Sequence, residues 1–141
     1  MTIKTDVKNR KIARILRDLE YLRSIQEIPK DQFLGNVGTL LATRYALLEP
    51  IQIVIDLAFH LCAQNKLHEP DNYREAFKIL TQNNFLSPEL AGTLADWAGL
   101  RNLLAHQYLE VNDERLYEFI HGELSAFDQF LEEIEKLEGV E

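Results

Sequence analysis

Apolar side chains recur at three- and four-residue steps along almost the whole chain, the period that stacks side chains on one face of an α-helix. Ile12, Ile15, Leu16, Leu19, Leu22 and Ile25 predict a first helix from about Val7 to Ile28, closed by Pro29. Arg10, Arg14 and Arg17 form a basic stripe off that seam. A second, longer helix is predicted from about Gln32 to Asn65, with Asp31 as its N-cap and Leu34, Val37, Leu40, Leu41, Tyr45, Leu48, Ile51, Val54, Ile55, Ala58, Phe59 and Cys62 inward. Pro50 lies in its middle, where a missing N–H and a crowded preceding turn predict a kink or a break. Asp56 and His60, four apart, are read as a structural pair or as surface groups.

A short helix from Tyr73 to about Thr81 follows, capped by Asp71 or Asn72 and ended by Asn83-Asn84. Ser87-Pro88-Glu89 has the serine, proline and acid order of a helix start, and Leu90, Leu94, Trp97, Leu100, Leu103 and Leu104 continue it inward. Val111-Asn112-Asp113-Glu114 interrupts the pattern. A final helix then buries Leu116, Phe119, Ile120, Leu124, Phe127, Phe130, Leu131, Ile134 and Leu137. The expectation is an all-α, up-and-down bundle of about five helices in a single domain, residues 1–141.

Composition agrees with that picture. With 141 residues, 46% hydrophobic and 27% charged, and with six Gly and four Pro, the chain can bury a core without staples and has few turn residues. The single cysteine, Cys62, has no internal disulfide partner and is expected as a buried structural thiol in a reducing cytoplasm. No hydrophobic signal region begins the chain, and Glu49, Pro50, Gln52 and Asp56 interrupt its most apolar stretch, so no membrane span is expected. The net charge of −8 does not suggest nucleic-acid binding, but it is unevenly spread. Residues 1–23 carry +4 and residues 108–141 carry −9, so a local phosphate-binding face at Arg10, Arg14 and Arg17 is open alongside simple helix-to-helix complementarity. No Gly-rich phosphate loop, metal-ligand spacing or repeat is present; no metal and no cofactor is expected.

The densest chemistry lies in Arg101-Asn102-Leu103-Leu104-Ala105-His106-Gln107-Tyr108. Histidine can accept a proton from a ribose 2′-hydroxyl because its reference pKa, about 6.5, lies near neutrality. An arginine can brace a phosphate with paired N–H groups and stabilise its transition state. On an ideal helix Arg101 and His106 diverge by roughly 140°, so one chain is expected to supply half a site, completed by helix loosening or by a two-fold partner. By spacing alone, a helix-end arginine and histidine can equally be capping or surface groups.

Those residues, with Trp97-Ala98-Gly99-Leu100 before them, Val111–Glu114 after them, Arg44-Tyr45 leading into the Gln52–Leu61 helix, and Pro70–Phe77, resemble the HepT toxins of the HepT/MntA (HEPN/MNT) toxin–antitoxin systems. Their signature Arg-x4-His-x-Tyr fits here without a gap. The resemblance implies an all-α HEPN fold that dimerises around a shared cleft, and a metal-independent endoribonuclease. It implies Arg101 and His106 as the catalytic pair and Asn102 as their support. It further implies an MntA-like minimal nucleotidyltransferase antitoxin that transfers AMP to Tyr108, closing the cleft to RNA. Two other readings remain at this point: a non-catalytic substrate- or nucleotide-binding subunit of an adjacent nucleotidyltransferase, and a helical dimerisation module.

Overall fold

The computed structural model describes residues 2–139, with side-chain surroundings from Asp6 to Lys136. Among these residues the chain is all-α, with no strand. In order come α1 (Thr2–Ile25), α2 (Lys30–Leu34), α3 (Val37–Gln64), α4 (Tyr73–Gln82), α5 (Pro88–His106), a 3-10 turn (Tyr108–Glu110), α6 (Asp113–Gly122) and α7 (Ser125–Gly139). The excess over about five helices comes from two breaks.

The first break divides the expected Gln32–Asn65 helix at Gly35-Asn36. A Cβ on Gly35 would stand 3.2 Å from the Asp31 carbonyl, and Asn36 Oδ1 accepts the Thr39 amide at 2.9 Å, capping α3. Asp31 is not a cap: Pro29 occupies that position for α2 without a side-chain hydrogen bond, and Asp31 sits in the first turn. Pro50, by contrast, lies buried inside α3 without ending it. One missing backbone bond there is outweighed by burial of Leu47, Ile51 and Val54 on either side. The second break, at Glu123-Leu124, splits the expected last helix into α6 and α7. At the start of the chain, α1 stops before residue 26 because Gln26, Glu27 and Ile28 take tightened i→i−3 bonds into Pro29.

Capping elsewhere follows the sequence. Asn72 accepts the Glu75 amide, Ser87 Oγ the Leu90 amide, and Asn112 the amides of Glu114 and Arg115.

The chain divides into two compact units. One takes in residues up to Ile53 with Arg101–Leu124; the other takes in Val54–Leu100 with the residues from Ser125 on. In the first, α2 and α1 both pack on α6. Phe33 meets Tyr117 at a 5.0 Å ring separation, Tyr117 donates its hydroxyl proton to the Ile28 carbonyl, and Gln26 donates to that of Ile120 at 2.8 Å. In the second, Trp97 and Phe127 stack at 4.1 Å among buried Phe77, Leu80, Leu94, Phe130 and Ile134. Each such side chain contributes about 1.5–3 kcal/mol of hydrophobic stabilisation. Cys62 is buried there as expected, and burial pushes its thiol pKa up.

Several expected core positions are not core. Leu16, Val37, Leu41 and Tyr45 are exposed, and Ile12, Leu40, Leu48, Leu100, Leu103, Phe119 and Leu131 are only half-buried. Leu16 falls outside the narrow Ile15–Leu19–Leu22 seam; Val37, Leu41 and Tyr45 line a face of α3 four residues apart that nothing in the first unit covers. The expected burial of Leu137 lies outside the described side chains. By length and composition α3 could cross a membrane, but Leu47, Ile51, Val54, Ala58 and Cys62 on it are buried within the protein.

Candidate active site

The catalytic candidates sit at the C-terminal end of α5, whose last residue is His106. Despite the angle between them on the helix, Arg101 and His106 line one cavity of about 680 Å³ within a single chain. The helix stops at His106, and the cavity at its end is bordered by side chains from more than one face of α5. The wall is built by three helices of the first unit. Val7, Arg10, Lys11 and Arg14 come from α1; Tyr45, Leu48, Glu49, Gln52 and Ile53 from α3; Arg101, Ala105 and His106 from α5. Four cationic side chains thus face a single carboxylate, which gives an acidic protein a locally positive cleft.

Arg101 is held by uncharged groups. Its Nε donates to Gln52 Oε1 at 2.6 Å and its Nη1 to Asn102 Oδ1 at 2.8 Å. Neutral acceptors fix the guanidinium plane without cancelling its charge, leaving it able to meet a phosphate.

A few residues away the chemistry is different. Glu49 Oε1 accepts from Arg14 Nε at 3.0 Å and from Arg17 Nη2 at 3.1 Å, and its Oε2 accepts the Tyr45 hydroxyl at 2.8 Å. Arg17 also donates to Asp18 Oδ1 at 3.0 Å, and Asp18 is only 3% exposed. Burial first, and then hydrogen bonding to Glu49, pushes the Asp18 carboxyl up to about 7. Burial acts to raise the Glu49 carboxyl too, but hydrogen bonds from Asp18 and Tyr45 and the charges of Arg14 and Arg17 hold it below its ordinary value. The two acids titrate as a pair, and the buried Asp18 holds a proton to higher pH than Glu49 does. The hydrogen bond to Glu49, and the repulsion its carboxylate would exert on a phenolate, raise the Tyr45 phenol.

Tyr108 opens the 3-10 turn just beyond α5 and is 62% exposed. It lines a neighbouring groove with Leu103, Gln107, Leu109 and Glu110, and His106 borders both this groove and the cationic cavity. The turn is tied down by Arg44. Its Nε and Nη2 fork onto Asp113 at 3.0 and 2.9 Å, and its Nη1 donates to the Tyr108 carbonyl at 3.1 Å. The tyrosine's backbone is therefore fixed and its ring is presented outward.

Of the residues singled out by sequence, Arg101, His106, Arg10 and Arg14 meet in one cavity, Asn102 supports Arg101, and Tyr108 stands next door. Arg17 does not line the cavity; it is committed to Asp18 and Glu49. Sequence reasoning gave no part in the site to Gln52, Glu49, Tyr45, Lys11, Asp18 or the Arg44–Asp113 fork. The signal for Glu49 and Gln52 was the polar interruption of an otherwise apolar helix; Asp18 carried none. Among the described residues, no group of three His, Cys, Asp or Glu side chains is placed to hold a metal ion.

Residues 15–134 match the family model described as "Ribonuclease HepT-like". The chain is 30% identical over 131 residues to an mRNA nuclease HepT of Shewanella oneidensis, covering 92% of this chain and 96% of that one. It is 28% identical over 124 residues to a tRNA nuclease HepT of Aphanizomenon flos-aquae, covering 88% and 84%. Among solved structures, a tri-AMPylated HEPN toxin of Shewanella oneidensis in complex with MNT antitoxin superposes with a TM-score of 0.84 at 28% identity, covering 93% and 98% of the two chains. The cytosolic YutE of Bacillus subtilis shares the fold at a TM-score of 0.80 and 16% identity. With the family model matching residues 15–134, nearly the whole chain, the protein belongs to the HepT-like ribonuclease family.

Proposed function

We propose that this protein is the toxin of a toxin–antitoxin pair, an endoribonuclease that cuts RNA without a metal and is silenced by AMP placed on Tyr108. The observation that carries this is the shared cavity of Arg101 and His106 with Tyr108 in the adjoining groove. In the cutting step His106 takes the proton of a ribose 2′-hydroxyl, and the 2′-oxygen attacks the neighbouring phosphorus. The bond to the 5′-oxygen breaks, that oxygen leaves with a proton from solvent or from a second histidine, and a 2′,3′-cyclic phosphate remains. Arg101, held flat by Gln52 and Asn102, stabilises the charge on the phosphoryl oxygens.

In the silencing step the Tyr108 hydroxyl attacks the α-phosphorus of ATP on an MntA-like nucleotidyltransferase. Pyrophosphate leaves, and the AMP adds bulk and negative charge beside His106. Two chains associate through exposed apolar side chains, Val37 and Leu41 on α3 and Leu109 on the turn, and the homodimer works in the cytoplasm. The purified toxin is expected to cut RNA in excess EDTA, and His106→Ala and Arg101→Ala to leave RNA intact. Coexpression with the antitoxin is expected to add one or more AMP masses, absent in Tyr108→Phe. Cutting by both alanine variants would overturn the catalytic assignment.

A further inference from the structure

The wall of the cavity contains an aromatic ring that neither the cutting step nor the silencing step uses. Tyr45 is 56% exposed on α3, yet it is not a loose surface side chain. Its hydroxyl is anchored on Glu49 Oε2 at 2.8 Å, and Glu49 is in turn clamped by Arg14 and Arg17. The ring is thus held by its far end while its face stays open. Around it the cavity is lined by apolar Val7, Leu48, Ile53 and Ala105, with Arg10 and Lys11 supplied by α1. A volume of about 680 Å³ is within the range that takes a small ligand. An anchored aromatic face, an apolar lining and neighbouring cations together fit a flat, apolar-faced group that carries an anion: a nucleobase with its phosphate.

Resting on the ribonuclease reading above, we propose that Tyr45 is a stacking platform for an unpaired nucleobase of the RNA, with Arg10 gripping the phosphate of the same nucleotide. A base can lie on the ring only when it has left its own stack, so the site selects single-stranded RNA, including the loops of folded RNAs. Stacking recognises every base by its π-face, so the platform sets strand state more than sequence. Glu49 is a positioning residue here: it accepts the phenol proton and keeps the ring from turning away. Arg14 serves the same end, because its charge is already engaged by Glu49.

The test uses the full-length protein and a strand of about eight nucleotides with 2′-O-methyl riboses, which cannot be cut, carrying 2-aminopurine at each position in turn. The wild type is expected to quench the fluorescence at one position. Tyr45→Ala abolishes that quenching and weakens binding roughly tenfold or more, as loss of a base-stacking ring does elsewhere. Tyr45→Trp keeps both properties, and Tyr45→Phe, with a ring but no anchor, falls between. Arg10→Ala weakens binding and its salt dependence but leaves the quenching at saturation. Annealing the complementary strand removes binding at that site. Unchanged quenching and affinity in Tyr45→Ala, while wild type cuts RNA, overturns the platform and leaves the ribonuclease standing. The platform is also overturned if binding is lost only in variants whose mass by light scattering changes. A wild type that neither cuts RNA nor binds the strand overturns the ribonuclease reading itself, and the platform with it.

Discussion

Two kinds of arginine line the same cavity, and they are held in opposite ways. Arg101 rests on the amides of Gln52 and Asn102, which orient it and leave its charge intact. Arg14 lies against a carboxylate on Glu49, shared with Arg17 just beyond the lining, and so builds the wall instead of drawing phosphate. Position in the sequence does not separate the two kinds; the partner of each guanidinium does. An active-site arginine must be fixed before the substrate arrives, so that no reorganisation is needed in the transition state, and it must still be electrostatically available. Amide acceptors meet both conditions, and carboxylates meet only the first.

The sharpest way to break this contrast is at the proposed catalytic pair. Arg101→Ala or His106→Ala should lower kcat for RNA cleavage by about 10²- to 10⁴-fold with unfolding temperature little changed, measured on a labelled transcript in EDTA. Next comes Gln52→Glu, which turns the neutral hold on Arg101 into a salt bridge like that on Arg14. A loss of about tenfold to a hundredfold in kcat/KM is expected without loss of stability; full activity would show that the partner's charge does not matter.

The other side of the contrast is tested by pH. In the folded chain Asp18 holds its proton up to about pH 7, against an ordinary carboxyl value of 3.8. Between those values the folded state binds a proton that the unfolded chain has released. The stabilising contribution is therefore complete below about 3.8 and is lost as pH rises to about 7. The slope is at most about 1.4 kcal/mol per pH unit, and solvent and structural relaxation will reduce it. Asp18→Asn, neutral at every pH, should flatten urea midpoints across this window and stabilise the protein at pH 8 by about 1–2 kcal/mol. A midpoint profile as steep as that of wild type would place the proton elsewhere.

Arg44→Ala removes the fork on Asp113 and the bond to the Tyr108 carbonyl. It should cost about 1–2 kcal/mol and slow AMP addition by the antitoxin severalfold, read by intact mass, with RNA cutting retained. The smallest effect belongs to Arg17→Ala. Being off the cavity and already paired, Arg17 should change cleavage and its salt dependence by less than about twofold, against a clear change for Arg10→Ala.

Much of the fold was legible in the chain because helical period and caps are local. The starts of α4, α5 and α6 are written in Asn72, Ser87-Pro88 and Asn112. Of the kink or break expected at Pro50 the structure excludes the break, because burial on both sides of it holds α3 in one piece. Gly35-Asn36 was missed because it looks like an ordinary pause in a long apolar run. For the proposed site, the arginine, histidine and tyrosine were singled out by the resemblance their spacing carries. Their mutual placement could not be read that way, since ideal helix angles set Arg101 and His106 apart while one cavity holds both.

The sequence by itself determined the all-α class, the caps of α4, α5 and α6, the buried Cys62 and the family-bearing run from Arg101 to Tyr108, all of which depend on residues close along the chain. Only the tertiary structure decided which arginine keeps its charge, that Asp18 is buried against Glu49, and that Arg44 holds the turn of Tyr108. These depend on contacts between helices tens of residues apart, and no local pattern records the partner a charged side chain will meet.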